Sequence, residues 1–547
     1  MAHHLIDVYL SDTGRSFFPL NVRNQLDRAR AVELSARPIA ARVLECLRVQ
    51  NARLGPSSAR AEQLAKLADG ARVVVTGQQV GLFLGPLYTV YKAATAVQLA
   101  RALERETGQS VVPVFWLQTE DHDLPEIARC VVPRPDAEPL VLAPTPEVDP
   151  NNRSSIAHVP LPDGISHCIE QLGLELGRLP HAKEHLARVA HHYRPGRSWG
   201  DAFAGLLADL FEPTGLLLID PRDAALAHES AHVHRNALER ADELERALSS
   251  QAEALHSAGF TSQVHLRSGS PLCFFHPEGP TGPRTRLVRD ERGRDYLEPR
   301  SGKRHSTAEL LAALERDPLC FSSSALLRPI VQDSLLPTAA YVGGPAEVGY
   351  FAQLPQLYAA YGLAAGMVAP RARLTLIEPS TARLLARWQL PVSAVTADET
   401  ALLALLDQRA QARAPDDAEL PSAAQLEARL QQNFEHALRS ALQFLGDDSS
   451  PLRRELTREL AKTRRSAARS AERLARRYRR ALLQRDQARV SAALQLRRQL
   501  FPEGAPQERV FGYSYFAARY GERAWLERVL SAIEPCLGTQ TSVELSL

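Results

Sequence analysis

Four carboxylates and one imidazole fall within seven residues, at Glu120-Asp121-His122-Asp123 and Glu126. Such a group can bind an ammonium, hold Mg²⁺ through its oxygens, or move protons through an imidazole that titrates near neutrality. His122, Asp121 and Asp123 are the candidate catalytic residues, and Glu120 is a candidate binding residue. A second cluster lies upstream, at Thr76-Gly77-Gln78-Gln79 with Gly85, Tyr88 and Lys92. Glycines let backbone amides approach an anion, and a following helix N-terminus favours negative charge. Two adjacent glutamines add donors and acceptors that a plain turn does not need. The loop is neither a Walker A motif nor GxGxxG, so a tight strand-to-helix turn is the plain alternative. The third cluster is Arg328 with Gln332, then Gly343-Gly344-Pro345 and Glu347. An arginine can clamp a carboxylate with two parallel hydrogen bonds, and a Gly-Gly-Pro opening a helix offers an anion site. Its plain alternative is a structural turn with a buried ion pair.

These residues need a scaffold. Arg72 to Thr76 is a β-branched run that reads as a buried strand, and Val111 to Trp116 reads as a second. Between them, Leu87 to Glu106 has helical apolar spacing. A strand, helix and strand in about 45 residues make a βαβ unit with parallel strands. Both polar loops then fall at the carboxyl ends of strands, where open α/β sheets bind ligands. Gly215 to Asp220 and Met367 to Pro370 are candidates for the same sheet. Residues 16 to 70 read as helical, 131 to 165 as irregular, and 262 to 300 as short strands including Val264-His265-Leu266.

Residues 422 to 500 carry apolar positions three and four apart, with a break at Gly446 to Pro451 where Ser450 is a good helix cap. This predicts a helical hairpin with arms of about 24 and 49 residues, roughly 36 and 73 Å. The longer arm needs a further partner, either residues 380 to 410 or a second chain. From Arg453 to Arg498 there are 16 basic and 4 acidic residues. Aromatics are not interleaved apart from Tyr478, so a solvated face is expected rather than a nucleic-acid contact.

The chain has 547 residues, 45% of them apolar and 23% charged, with a net charge of +2. That is a globular composition with no strong bias toward polyanions. No apolar run approaches membrane-spanning length, and the N-terminus lacks a signal pattern. Six scattered cysteines, Cys46, Cys130, Cys168, Cys273, Cys320 and Cys536, form no CxxC pair. Free thiols in a reducing cytoplasm are expected. The paired-spacing histidines, His181 with His185 and His228 with His232 and His234, lack partners for a metal and are expected on surface helices; no residue is assigned as a metal ligand. Only five basic residues are lysine against 60 arginines, which marks Lys92 for attention.

Taken in order, these segments resemble the bacillithiol biosynthesis cysteine-adding enzymes, the BshC family. The resemblance rests on Val75-Thr76-Gly77-Gln78-Gln79, Gly85-Pro86-Leu87-Tyr88-Thr89 with Lys92, Pro113-Val114-Phe115-Trp116 and Glu120-Asp121-His122-Asp123. It continues through Arg328-Pro329 with Gln332, Leu336-Pro337, Tyr341 to Pro345 with Glu347, Leu500-Phe501-Pro502 and Pro506-Gln507-Glu508-Arg509. Ser324 stands where the family pattern has Asn. The resemblance implies an α/β fold: a Rossmann-like parallel-sheet core with inserted connecting segments and a C-terminal α-helical coiled coil that supports a homodimer. The expected organisation is a core over 1–379 with insertions about 131–210 and 221–325, a coiled coil over 380–510, and a helical segment over 511–547 returning to the core. The implied activity is ligation of L-cysteine to the amine of glucosaminyl malate. ATP with Mg²⁺ is one route to the activated carboxylate, and the residues do not select it. In this scheme Thr76 to Gln79 and Gly85 bind phosphate or malate carboxylates. His122 is the base, held by Asp121 or Asp123, and Arg328 and Gly343-Gly344 take a second anion. The competing readings are a nucleic-acid-binding coiled-coil protein and a non-catalytic metabolite-binding scaffold.

Overall fold

A computed structural model describes residues 5–135, 137–144, 154–290, 295–413, 421–444, 451–484, 487–533 and 542–547. Cys536 and the break with its Ser450 cap lie outside them. The chain forms two compact units. The first comprises Met1–Pro133, Pro139–Thr375 and Glu508–Leu545; the second comprises Arg134–Glu138, Leu376–Gln507 and Ser546–Leu547.

The first unit is built on a five-stranded sheet whose pairings are all parallel. Its strands are β1 (Arg72–Gln78), β2 (Val111–Leu117), β3 (Leu217–Ile219), β4 (Thr338–Gly343) and β5 (Met367–Pro370), in the order β5-β4-β1-β2-β3. The chain runs outward from β1 through β2 to β3, then crosses to the other side for β4 and β5. The order therefore reverses between β1 and β4, and the carboxyl ends beside that reversal are where open α/β sheets bind ligands. β1 is central, with Val73 to Gly77 buried, which is why its sequence is continuously apolar rather than alternating. The helix Leu87–Thr107 follows and ends at Gly108, whose φ of 66° lies in the left-handed region. Helix Glu522–Ile533, near the far end of the chain, packs on it, and Gln98 Nε2 donates to the Leu530 carbonyl at 2.8 Å.

Two expectations change. Thr338–Gly343, read only as a prelude to a glycine turn, is a fully buried strand pairing with β1. Val264-His265-Leu266 is not a strand, although Cys273–Phe275 is one and pairs antiparallel with Phe321–Ser323. Gly77 is required by close approach: a Cβ there would lie 2.7 Å from the Trp116 carbonyl oxygen. Gly77→Ala should therefore destabilise the first unit by about 1–3 kcal/mol, read as a lowered denaturation midpoint.

In the second unit, helices Ala423–Phe444 and Pro451–Gln484 pair antiparallel. Arg464 bonds Glu435 at 3.1 Å and Tyr478 Oη donates to the Pro421 carbonyl at 3.1 Å. The long arm is described as two helices, of 34 and 14 residues, the second being Gln487–Leu500. Its partner is intramolecular: Ala493 and Leu496 pack with Leu402 and Leu406 of helix Glu399–Arg413. Among the described residues no helix is long and apolar enough to cross a membrane.

Candidate functional site

The strand ends bring the first two sequence clusters together. Gln79, just past β1, donates from Nε2 to Asp121 Oδ2 at 2.6 Å and to Glu126 Oε2 at 3.0 Å. Asp121, beyond β2, also receives the His122 backbone N–H at 2.8 Å. A residue that sequence reasoning missed completes the group. Arg284 donates to Asp121 Oδ1 at 3.0 Å, to the Glu120 carbonyl at 3.2 Å and to His122 Nδ1 at 2.5 Å. Its guanidinium lies over the Phe274 ring at 4.4 Å. It comes from the inserted segment, one arginine among 60, and no local pattern marks it.

Arg284 bears on how His122 is used. Arginine has no acceptor, so an imidazole nitrogen it bonds must be the acceptor. Asp121 Oδ1 lies 3.3 Å from the same Nδ1, so the expected pairing of His122 with Asp121 is present beside that with Arg284. With Arg284 as its partner Nδ1 accepts and the ring proton lies on Nε2; with Asp121 as its partner Nδ1 carries the proton and Nε2 is free. Asp123, the other expected partner of His122, is instead the cap of the short helix Leu124–Ile127, with Oδ1 accepting the Glu126 N–H at 3.3 Å.

The carboxyls differ in their surroundings. Burial pushes Asp121 up, but hydrogen bonds from His122 and Gln79 and the charge of Arg284 outweigh it and hold the group well below the usual aspartate range. Glu120, facing Ser323 Oγ at 3.1 Å, is raised by its burial. A carboxyl depressed in the folded state contributes stability above its unfolded pKa of about 3.9 and loses it as pH falls through that range. The stability gap between the native chain and Asp121→Asn should be full at pH 7 and shrink below about pH 4. Urea midpoints across that range measure it.

The glycine loop does not form the expected anion cradle. Leu82, Phe83 and Leu84 are fully buried. Gly81 N–H bonds the Gln79 carbonyl at 2.9 Å, Gly85 N–H that of Leu82 at 2.8 Å, and Leu87 N–H that of Phe511 at 2.8 Å. Those donors are spent internally. Gly85 serves the turn itself, with φ 65° and ψ −151°, a region open to glycine. Thr76 likewise donates its hydroxyl to the Val342 carbonyl at 2.8 Å. Gln78 and the half-buried Tyr88 remain at the sheet edge; Gln78 Nε2 lies 3.4 Å from Tyr88 Oη.

Lys92 lies beneath this floor, its side chain only 4% exposed. It donates to the Gly77 carbonyl at 2.9 Å and Gln78 Oε1 at 2.8 Å, and pairs with Glu347. Glu347 in turn accepts the Tyr341 hydroxyl at 2.6 Å and the Gly344 N–H at 2.8 Å. The anion received by Gly344 is thus the chain's own. Although burial pushes Glu347 up, Lys92 and these donors hold it below the usual range. A Cβ on Gly343 would meet Glu347 Cβ at 2.9 Å, so the glycine makes room for the pair. Arg328 is also buried: it bonds Gln332 Oε1 at 3.1 Å and Tyr350 Oη at 2.6 Å, and lies over the Tyr341 ring. Gln332 continues to Asp333 at 2.8 Å. The third cluster therefore forms a polar network under the sheet edge, close to its plain alternative. Of the paired histidines, His185 and His234 are buried rather than on the surface, and His185 Nδ1 bonds Glu522 Oε1 at 2.6 Å.

Residues 3–372 match the family described as bacillithiol biosynthesis BshC, N-terminal Rossmann-like domain, and residues 374–545 match the BshC C-terminal coiled-coil domain. A protein of Koribacter versatilis is 33% identical over 520 residues, covering 94% of this chain and 92% of its own length. One of Salinibacter ruber is 35% identical over 386 residues, 70% of this chain and 69% of its own. One of Geobacillus thermodenitrificans is 28% identical, covering 90% and 89%. Each carries the name "Putative cysteine ligase BshC".

Proposed function

Because this chain belongs to the BshC family of bacillithiol biosynthesis, a family of ligases, we propose that it joins L-cysteine to the amine of glucosaminyl malate as an amide, through an activated cysteine carboxylate. The observation that carries this reading is the Gln79–Asp121–His122–Arg284 group at the carboxyl edge of the parallel sheet. Amine attack on an activated carboxyl develops negative charge on oxygen, and donors held in place beforehand stabilise it. His122 Nε2–H supplies such a donor, and Arg284 supplies a fixed positive charge beside it. When Nδ1–H faces Asp121 instead, the free Nε2 can take the proton that the amine loses as the amide forms, so the ring has two roles open to it, donor and base. Gln78, Gln79, Tyr88 and Glu120 orient the two substrates, while Lys92, Glu347, Arg328 and Gln332 hold the floor beneath them.

Mass spectrometry of a reaction containing the protein, glucosaminyl malate, L-cysteine, ATP and Mg²⁺, with each component omitted in turn, tests the proposal. A cysteine–glucosamine amide that depends on the protein is expected. Its absence under every nucleotide condition, with metabolite binding retained, would favour a scaffold.

The protein works as a homodimer through the second unit in this reading. Phe434, Phe444 and Leu474 on its paired helices are 43%, 91% and 49% exposed, more apolar surface than an isolated helical hairpin needs to show. Light scattering should return twice the chain mass, and Phe434→Glu with Leu474→Glu should return the monomer. Five free cysteines among the described residues suit a reducing cytoplasm.

A further inference from the structure

The four carboxylates after β2 have different duties. Asp121 is engaged at both oxygens: Oδ1 receives the His122 N–H and Arg284, and Oδ2 receives Gln79. Glu120 accepts the Ser323 hydroxyl and lies in the field of Arg222 and Arg284. Asp123 caps the helix Leu124–Ile127. That cap sets the position of Glu126, the third residue of the helix. Asp123 Oδ1 receives the Glu126 N–H, and the turn fixed in this way brings the Glu126 side chain back onto Gln79, whose Nε2 donates to Oε2 at 3.0 Å.

The rest of the Glu126 carboxylate is open. Among the described residues Oε1 has no hydrogen-bond partner, and no arginine or lysine pairs with the group. Glu126 is exposed, whereas Gln79 and Asp121, to which one amide nitrogen ties it, are partly buried. Its charge also reaches Tyr88: burial first, and then Glu126, push that hydroxyl up. The carboxylate therefore lies on the side of Gln79 where Gln78 and Tyr88 meet. An oxygen fixed on one side and open on the other suits a ligand that donates to it. An ammonium does so with a charge-assisted bond, and an anion is repelled. The reaction proposed above brings a primary amine to this edge.

We propose that Glu126 selects the amine: it receives the ammonium of the amino sugar that is to be acylated and holds that nitrogen beside the His122 group. The assignment rests on the ligase reading above.

Calorimetric titration of the full chain at about pH 6, where aliphatic amines carry their proton, tests this. The two ligands are glucosaminyl malate and its analogue with a hydroxyl in place of the amine. The native chain should bind the amine at least about tenfold more tightly. Glu126→Gln keeps an oxygen for Gln79, so its thermal midpoint should stay near that of the native chain while the preference falls to nearly none. A preference retained in full by Glu126→Gln overturns the assignment. So does a native chain that shows no preference, or no saturable binding at millimolar ligand. So does a loss that appears instead between L-cysteine and 3-mercaptopropionate, which lacks the ammonium, because Glu126 then meets the other substrate. Amide formation with an unchanged KM for glucosaminyl malate in Glu126→Gln removes this role and leaves the ligase reading. Amine-selective binding that depends on Glu126, without any amide product, removes the ligase reading and leaves the role.

Discussion

Replacing His122 by alanine is expected to slow amide formation by about 10²–10⁴-fold while the fold survives. The ring is about one-third exposed and makes its recorded bonds through Nδ1 alone, to Arg284 and Asp121. Asp121 keeps its bonds from the His122 backbone, from Gln79 and from Arg284 when the ring is removed. The loss should therefore fall on kcat with KM nearly unchanged, measured by product mass. Full activity in this variant would remove His122 from the chemistry. His122→Asn separates the two roles open to the ring. Asparagine retains an N–H donor and no titrating nitrogen. Activity well above that of the alanine variant would assign His122 to oxyanion stabilisation, and equal activity would assign it to proton transfer.

Lys92→Met should lower the stability of the first unit by about 3–5 kcal/mol. The ammonium is buried and offers three donors to three acceptors, Gly77 O, Gln78 Oε1 and Glu347. Removing it leaves Glu347 charged without its counter-ion. The companion change Glu347→Gln should return part of the loss in the double variant, because no uncompensated charge then remains. Lys92→Arg should also fail, since a planar fork cannot address acceptors arranged around a point charge. Denaturant midpoints of the four chains measure this. If Lys92→Met unfolds at the native midpoint, the ion pair contributes little and the lysine was retained for another reason.

Much of the sheet was legible because fully buried parallel strands read as continuous apolar runs: β1, β2, β3 and β5 all showed this. β4 was missed because Thr338-Ala339-Ala340 is weakly apolar and the eye stops at Gly343-Gly344-Pro345, although Tyr341-Val342 belongs to the strand. The glycine loop misled in the opposite direction. Gly77, Gly81 and Gly85 resemble an anion cradle, yet Leu82-Phe83-Leu84 between them shows that the loop is bound for the interior. The loop after β2 was found from charge density alone, but its organising cation was not. Arg284 is 163 residues from the carboxylate it holds, and nothing local distinguishes it. Ser324, where the resemblance led us to expect Asn, accepts the Leu327 N–H at 3.3 Å in the turn ahead of helix Arg328–Leu335, a local bond that either side chain can accept.

The first unit closes on itself through Arg371 and Glu508, a buried bidentate pair with bonds of 2.9 and 2.8 Å across 137 residues of intervening chain. During synthesis at about 5–20 residues per second, Arg371 waits roughly 7 to 27 s for its partner to be made. Until then the nascent sheet stands with a buried-type guanidinium unpaired and the helix Leu87–Thr107 without its cover from Glu522–Ile533. The Leu376–Gln507 segment of the second unit is made before the Glu508–Leu545 segment that completes the first. The central strand and the helix after it are therefore made early and covered late.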